Sequence, residues 1–312
     1  MSSTKKIIAA ALILLIIGGL ICGAGYLLIK NNPEALELTE EHFSEFDSEI
    51  TGVDIDVTSR NVEIVSAEDG FRVDYFNYKH SKVTVDFADG ILSIKEEVKL
   101  SDMLWGLDFD LSFIALKREN VTVYVFVPET LSKDILINGK SCSILLSGIN
   151  IGGELGVKLI SGNVKIKNAG VTGDVNISTT SGNLTSDSLQ ADNVNIDVIG
   201  GNVKLNGIRA EGTIAVGKTS GNLNVEGLKA AAFNVVSVSG NTDGTEIDAI
   251  DTDIKSTSGR IKLKFVDTKD KYVLSVSTNS GRSNVVNQSP ADAAYTVKVT
   301  ATTSGNINLY FA

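Results

Sequence analysis

From residue 50 onward, apolar residues fall mostly at every second position. Val53, Ile55 and Val57 form one run, followed by Val62 and Ile64, Val73 and Tyr75, Val83, Val85 and Phe87, then Ile91 and Ile94. A period of two puts successive apolar side chains on one face of an extended chain. Asp69-Gly70 and Asp89-Gly90 separate these runs as turn signals, so 50–98 reads as a series of strands. A further strand over 121–127 ends at Pro128.

After Pro128 the alternation gains a longer period. Ser161-Gly162-Asn163 recurs as Ser181-Gly182-Asn183, Gly200-Gly201-Asn202, Ser220-Gly221-Asn222 and Ser239-Gly240-Asn241. Ser258-Gly259-Arg260, Ser280-Gly281-Arg282 and Ser304-Gly305-Asn306 follow, and Ser141 begins a degenerate copy. The steps from Ser141 are 20, 20, 19, 20, 19, 19, 22 and 24 residues. Apolar pairs keep this register: six and four residues before the turn serine stand Leu155/Val157, Val175/Ile177 and Ile214/Val216, and three and five after it stand Val164/Ile166, Val203/Leu205 and Ile261/Leu263. Eight after it comes a third apolar residue, the series running Ile149, Ala169, Leu189, Ile208, Leu228, Ile247 and Val266.

Each copy thus supplies two short inward-facing strands and an apolar contact at a bend, the signature of a parallel β-solenoid with 19–20-residue coils. Nine coils stacked at ~4.8 Å would make a rod ~40 Å long. At each corner the glycine is expected to supply a positive φ, and stacked asparagines to hydrogen-bond along the column. This accounts for much of the 29 Gly and 24 Asn. A phosphate loop is not indicated, because no copy carries a following Gly-Lys-Ser/Thr.

The N-terminal part has a different character. Residues 7–29 carry no charge and are long enough, at ~1.5 Å per residue, to cross a ~30 Å hydrocarbon core. Lys5 and Lys6 before the run and only Lys30 after it keep the N-terminus cytoplasmic and export the rest. A cleaved signal peptide ending near Gly23 and Gly25 is the competing reading. The organisation expected is an anchor or signal over 1–30, an acidic spacer over 31–48, an N-terminal β region over 49–128, and the solenoid over 129–312. Within the β region, Leu104, Trp105, Leu107, Phe109 and Phe113 crowd a 100–116 insertion that either folds onto the core or offers an apolar contact patch.

Charge and scarce residues narrow the chemistry. The chain carries 28 − 38 = −10, and without the 3 lysines of 1–30 the remainder carries 25 − 38 = −13, which opposes nucleic acid as a partner. Two cysteines and two histidines, His42 and His80, offer neither a disulfide framework nor a His- or Cys-rich metal site. The stretch 239–253 resembles a calcium loop, but Ile250 holds the twelfth position where a bidentate acid belongs. Arg260 and Arg282, at equivalent places on adjacent coils, either clamp an anionic sugar or a carboxylate, or each pairs with a nearby acid or faces water. No catalytic, cofactor-binding or metal residue is assigned.

The order of these features resembles the bacterial putative-adhesin domain family, a domain of unknown function in envelope proteins. Its marks are a membrane or signal segment, alternating strands, a strand ending in proline, and successive Thr-Ser-Gly-Asn/Asp-Val/Leu turns. Here they stand at 121–128, then 180–184, 219–223, 257–261 and 303–307, with Arg260 and Arg282 departing from the usual Asn or Asp. The resemblance, over about 50–312, implies a β-solenoid at the cell surface, associated with adhesion by name and with envelope-stress systems by company, and implies no active site.

The expected function is a non-enzymatic, membrane-anchored extracytoplasmic interaction module that meets cell-wall polymer or an envelope protein. A stress-sensing ectodomain with a membrane partner is one alternative, and a carbohydrate-active β-helix enzyme is another. The last coil, ending in Leu309, Tyr310 and Phe311, is expected either to be covered by the segment around Pro290 or to self-associate end to end.

Overall fold

The computed structural model describes residues 39–45, 50–67, 71–77, 81–98 and 121–312. The apolar run 7–29 and the 100–116 cluster lie outside the described residues. Among the described residues no helix is long and apolar enough to cross a membrane.

The strands are β1 (Thr39–Glu45), β2 (Gly52–Val57), β3 (Asn61–Ala67), β4 (Phe71–Asn77), β5 (Ser81–Ala88), β6 (Ile91–Val98) and β7 (Thr122–Pro128). Then come β8 (Thr130–Leu131), β9 (Ile135–Ser141), β10 (Ile144–Ile151), β11 (Leu155–Ser161), β12 (Val164–Val171), β13 (Val175–Ser181), β14 (Leu184–Ala191), β15 (Val194–Gly200), β16 (Val203–Ala210) and β17 (Thr213–Ser220). The series ends with β18 (Leu223–Ser237), β19 (Thr242–Ser258), β20 (Ile261–Phe265), β21 (Tyr272–Thr278), β22 (Tyr295–Ser304) and β23 (Ile307–Tyr310).

Parallel pairing stacks them into two walls of a solenoid of about nine turns. One wall runs β6, β2, β9, β11, β13, β15, β17, the second halves of β18 and β19, then β22 and β21. The other runs β7, β3, β10, β12, β14, β16, the first halves of β18 and β19, then β20 and β23. The columns begin before Pro128, since β2 and β3 already pair in register with β9 and β10. Antiparallel pairing of β5 on β6, and of β4 with both β7 and β1, extends the N-terminal ends of the walls.

The inward columns are buried: Val53, Ile135, Leu155, Val175, Val194, Ile214 and Phe233 line one wall, and Val62, Ile144, Val164, Leu184, Val203 and Leu223 the other. The second wall bends because one residue per coil turns left-handed. Gly148, Asn168, Ser188, Gly207, Gly227 and Glu246 stack there with φ between 48° and 72°. That kink carries Ile149, Ala169, Leu189, Ile208, Leu228 and Ile247 into the core as the third apolar column. In the last copy Phe265, not Val266, pairs with Ile247 and is buried, while Val266 is exposed. β20 has no residue at the kink, so the residue eight after its serine overshoots the core by one.

The final two copies do not stack in sequence order. β22 lies between β19 and β21, pairing with both, and β23 pairs with β20. The Ser304 copy therefore sits directly on the Ser258 copy, with the Ser280 copy outside it. The outer edge is covered by the segment on the near side of Pro290: Gln288 and Leu274 exchange backbone hydrogen bonds, Asn287 Oδ1 accepts from the Val276 N–H, and the Asn284 amide bonds both N–H and C=O of Leu309. Phe265, Tyr272, Tyr295 and Phe311 pack ring to ring beneath it.

Candidate functional site

The turn residues form one corner column. Asn183, Asn202, Asn222 and Asn241 each donate a backbone N–H to the side-chain Oδ1 of the asparagine one coil earlier, at 2.9–3.0 Å, starting from Asn163. Arg260 continues the ladder by donating its backbone N–H to Asn241 Oδ1, and Arg282 donates in the same way to Asn306 Oδ1. Gly162, Gly182, Gly201, Gly221, Gly240 and Gly259 have φ of 98° to 148°. Gly281 and Gly305 lie outside that range; what requires glycine there is the close stack, where a Cβ would come within 2.0 Å of the Gly305 oxygen and 2.3 Å of the Gly259 oxygen. The intervening Ser304 copy also separates Arg260 from Arg282, so the two arginines do not sit on adjacent coils.

The ladder starts one coil earlier than the Gly motif suggests. Thr58-Ser59-Arg60-Asn61 is the first corner, and Asn61 Oδ1 accepts the Ser143 N–H at 2.8 Å. With no coil beyond it, this corner is closed by a carboxylate: Glu96 Oε2 accepts the N–H groups of Thr58, Ser59 and Arg60, and Oε1 accepts the Ser59 and Ser81 hydroxyls. The Arg60 and Glu96 side chains are wholly buried and pair at 3.5 Å. Burial pushes the Glu96 carboxyl up, but the hydrogen bonds from Ser59, Ser81 and Thr58 outweigh it and hold the group below its usual range. Cys142, whose Sγ fills the space above Gly139, is pushed up to about 12 by burial and by the Glu96 charge. That keeps it a protonated, inert thiol. The sequence signals for this corner are Val53 and Ile55, six and four residues before Ser59, and Val62 and Ile64, three and five after it.

A second inward substitution lies mid-stack. Lys218 takes the column place held by Val198 one coil before, is 5 % exposed, and donates through Nζ to the Gly221 and Ser239 carbonyls at 2.9 and 3.2 Å. Burial pulls its pKa down to about 8.

Two outward features stand out. Beside the corner, Ile160, Thr180, Ile199, Thr219, Val238 and Thr257 form an exposed ridge of β-branched side chains, one per coil. On the second wall, between β16 and β23, lies a hollow of about 740 Å³, within the range of ligand pockets. It opens where the kink column stops. β16, β18 and β19 carry the left-handed residue and β20 does not, so the β19–β20 register shifts between Gly244 and Ile247.

Polar side chains outnumber apolar ones around this hollow, while more of its surface is apolar than polar, with Val225, Tyr310 and Phe311 among the lining. Lys204, Lys262 and Lys264 point outward from β16 and β20, with no acid partner among the described residues. Asp243, the carboxylate nearest the corner, is held by Arg260 Nη2, which is 2.9 Å from both of its oxygens. Asn224, Glu226 and Thr245 add amide, carboxylate and hydroxyl groups, and Tyr310 stands at the rim with its ring 5.9 Å from Lys262 Nζ. The alternation of β20 marks Lys262 and Lys264 as outward, but nothing in the sequence places Tyr310 beside them, because that follows from the altered coil order. The apolar patch Leu104, Trp105, Leu107, Phe109 and Phe113 lies outside the described residues.

Stacked coils with an asparagine-laddered corner define a parallel β-solenoid. The chain belongs to the Toastrack family, DUF4097, which it matches over residues 50–310. In solved structures it is similar to a putative adhesin from Bacteroides fragilis, at 13% identity and a TM-score of 0.48, covering 87% of this chain and 97% of that one. It is also similar to a putative adhesin from Parabacteroides distasonis (11% identity, TM-score 0.37, 88% and 97% covered). A putative cell adhesion protein from Clostridium sporogenes is similar at 11% identity and a TM-score of 0.27, with 88% and 100% covered. None of the curated proteins matches the chain.

Proposed function

We propose that the protein is a membrane-anchored, extracytoplasmic interaction module that meets a repetitive envelope partner, either cell-wall polymer or an envelope protein, and does so by binding alone. The observation that carries this reading is the outward lattice. Each exposed column places one side chain per coil at the ~4.8 Å spacing of paired strands on a scaffold locked by its corner ladder. Such a surface suits a partner with its own repeat, because many weak contacts add along its length without further ordering cost. The charge-free run 7–29 supports anchoring, with the solenoid outside.

The test uses cells producing the full-length chain. Protease added to intact cells should cleave 31–312 and leave the N-terminus protected, and crosslinking in situ should capture wall polymer or an envelope protein. Protection of the solenoid from external protease, or capture of nothing above a scrambled-sequence control, would overturn the proposal.

A further inference from the structure

We infer that the hollow between β16 and β23 is a binding site for an anionic polysaccharide, with Lys204, Lys262 and Lys264 meeting its acidic groups and Tyr310 stacking on a sugar ring. This rests on the interaction reading above and gives it a ligand class.

Charge is the first argument. In a chain of net −10, the hollow sets Lys204, Lys262 and Lys264 against only Asp243 and Glu226, and Asp243 is engaged by Arg260 beside it. The three lysines face solvent without acid partners among the described residues. They are thus available to a ligand's carboxylates or phosphodiesters, the two anions an acidic glycan carries.

Geometry is the second. Lys204 and Lys262 occupy the same column three strands apart, across β18 and β19, so their stems are separated by ~14 Å. Lys264 lies two residues along the strand from Lys262, ~7 Å away on the same face. A linear polymer laid across the strands meets cations at both ends and, between them, Asn224 and the Arg260-paired Asp243, with Glu226 and Thr245 in the next column; Asn224 and Thr245 can pair with sugar hydroxyls. Tyr310 is 45 % exposed and fixed by the pairing of β23 with β20, a rigid aromatic rim for the apolar face of a ring.

A protein partner fits less well. A protein interface has a centre depleted of charge, whereas Lys204, Lys262, Lys264, Asp243 and Glu226 put charges throughout this hollow. Duplex nucleic acid is a polyanion like the proposed ligand, so net charge does not separate the two and the DNA arm of the experiment does.

The experiment measures retention of the full-length chain by immobilised polygalacturonate, with dextran as the uncharged control and duplex DNA as the competing polyanion. Retention on polygalacturonate and not dextran is expected, weakening with salt. The Lys204→Ala/Lys262→Ala/Lys264→Ala variant should lose at least tenfold in affinity and Tyr310→Ala about fivefold at unchanged circular dichroism. Lys158→Ala, on the other wall, should lose nothing. Failure to bind the polyuronate, equal loss in Lys158→Ala, or tighter binding of DNA through the same lysines would overturn the site. If crosslinking in cells still captures an envelope partner with the triple variant at wild-type yield, the hollow is refuted and the interaction reading stands. If the wild type captures nothing, both fall.

Discussion

The corner column makes a sharp prediction, because two glycines six residues apart do opposite things. At Gly201, φ is +148° and a Cβ would stand 1.8 Å from the Gly182 carbonyl oxygen, about 1.5 Å inside the ~3.3 Å at which carbon and oxygen meet. The neighbour is backbone, itself stacked on the next coil, so it cannot swing aside. A glycine-only backbone region costs about 1–3 kcal/mol for another residue, and overpacking adds about 1–3 kcal/mol, giving roughly 2–6 kcal/mol for Gly201→Ala. At Gly207, φ is +58° and the nearest atoms are 3.9 Å from the added Cβ. The equivalent places already hold Asn168, Ser188 and Glu246, so Gly207→Asn should cost less than about 1 kcal/mol. Guanidinium unfolding followed by circular dichroism measures the difference. Hydrogen exchange at β14 and β18 shows whether the loss is confined to neighbouring coils, as nearest-neighbour stacking requires. Equal costs for the two variants, or a loss under about 1 kcal/mol for Gly201→Ala, would refute the account of the corner.

Three other substitutions probe the buried polar groups. Glu96→Gln should destabilise the protein by about 3–5 kcal/mol, the cost of leaving a buried guanidinium without its counter-charge. Because the folded carboxyl is held below its unfolded value, its stabilisation is complete above the unfolded pKa and fades as pH falls through the folded one. The variant should therefore show a flatter acid limb in stability against pH. Lys218→Met should act the other way: with a folded pKa of about 8 against 10.5 unfolded, the lysine costs up to about 3 kcal/mol at pH 7, and this cost shrinks as pH rises to 10.5. A Met variant less stable than wild type at pH 7, or a gain that does not shrink by pH 10, would show that the carbonyl contacts of Lys218 outweigh its desolvation. Thr179→Val should stabilise by about 1 kcal/mol in thermal unfolding, since the buried Thr179 hydroxyl has no hydrogen-bond partner among the described residues and sits between Leu159 and Val198.

How far the sequence goes is clear from single residues. Val164 and Ile166, or Val203 and Leu205, announce their inward faces because a period of two within a period of twenty has one structural solution. Asn163 and its successors announce a corner because the same amide recurs at the same place. The first corner is illegible as a corner because its glycine is replaced by Arg60, whose partner Glu96 comes from a hairpin 36 residues away. Val266 misleads because the sequence count assumes a kink residue that β20 lacks. The order of the Ser280 and Ser304 copies is illegible for a different reason. Both present the same strand-forming pattern, and which of them occupies the β19 edge depends on the connecting segment, through the Asn284, Asn287 and Gln288 bonds.

These departures are not scattered at random, and that bears on where function resides. From β9 to β19 each coil pairs in register with the last. At β20 the kink residue drops out, and at β22 and β23 the chain re-enters beneath its own preceding strand. Neither change deepens the apolar core, because Phe265, Val297, Val299 and Leu309 merely continue columns that already exist. What the two changes create together is the concavity and its rim. Without the missing kink residue, β20 would lie flush with β19, and without the altered order, β21 rather than β22 would follow β19 and the chain beyond Asn306 would not pair with β20. Periodic coils supply the repeated outward columns, and what the break in periodicity shapes, besides the ring cluster around Phe265, is a hollow bearing three lysines with an aromatic residue, Tyr310, at its rim.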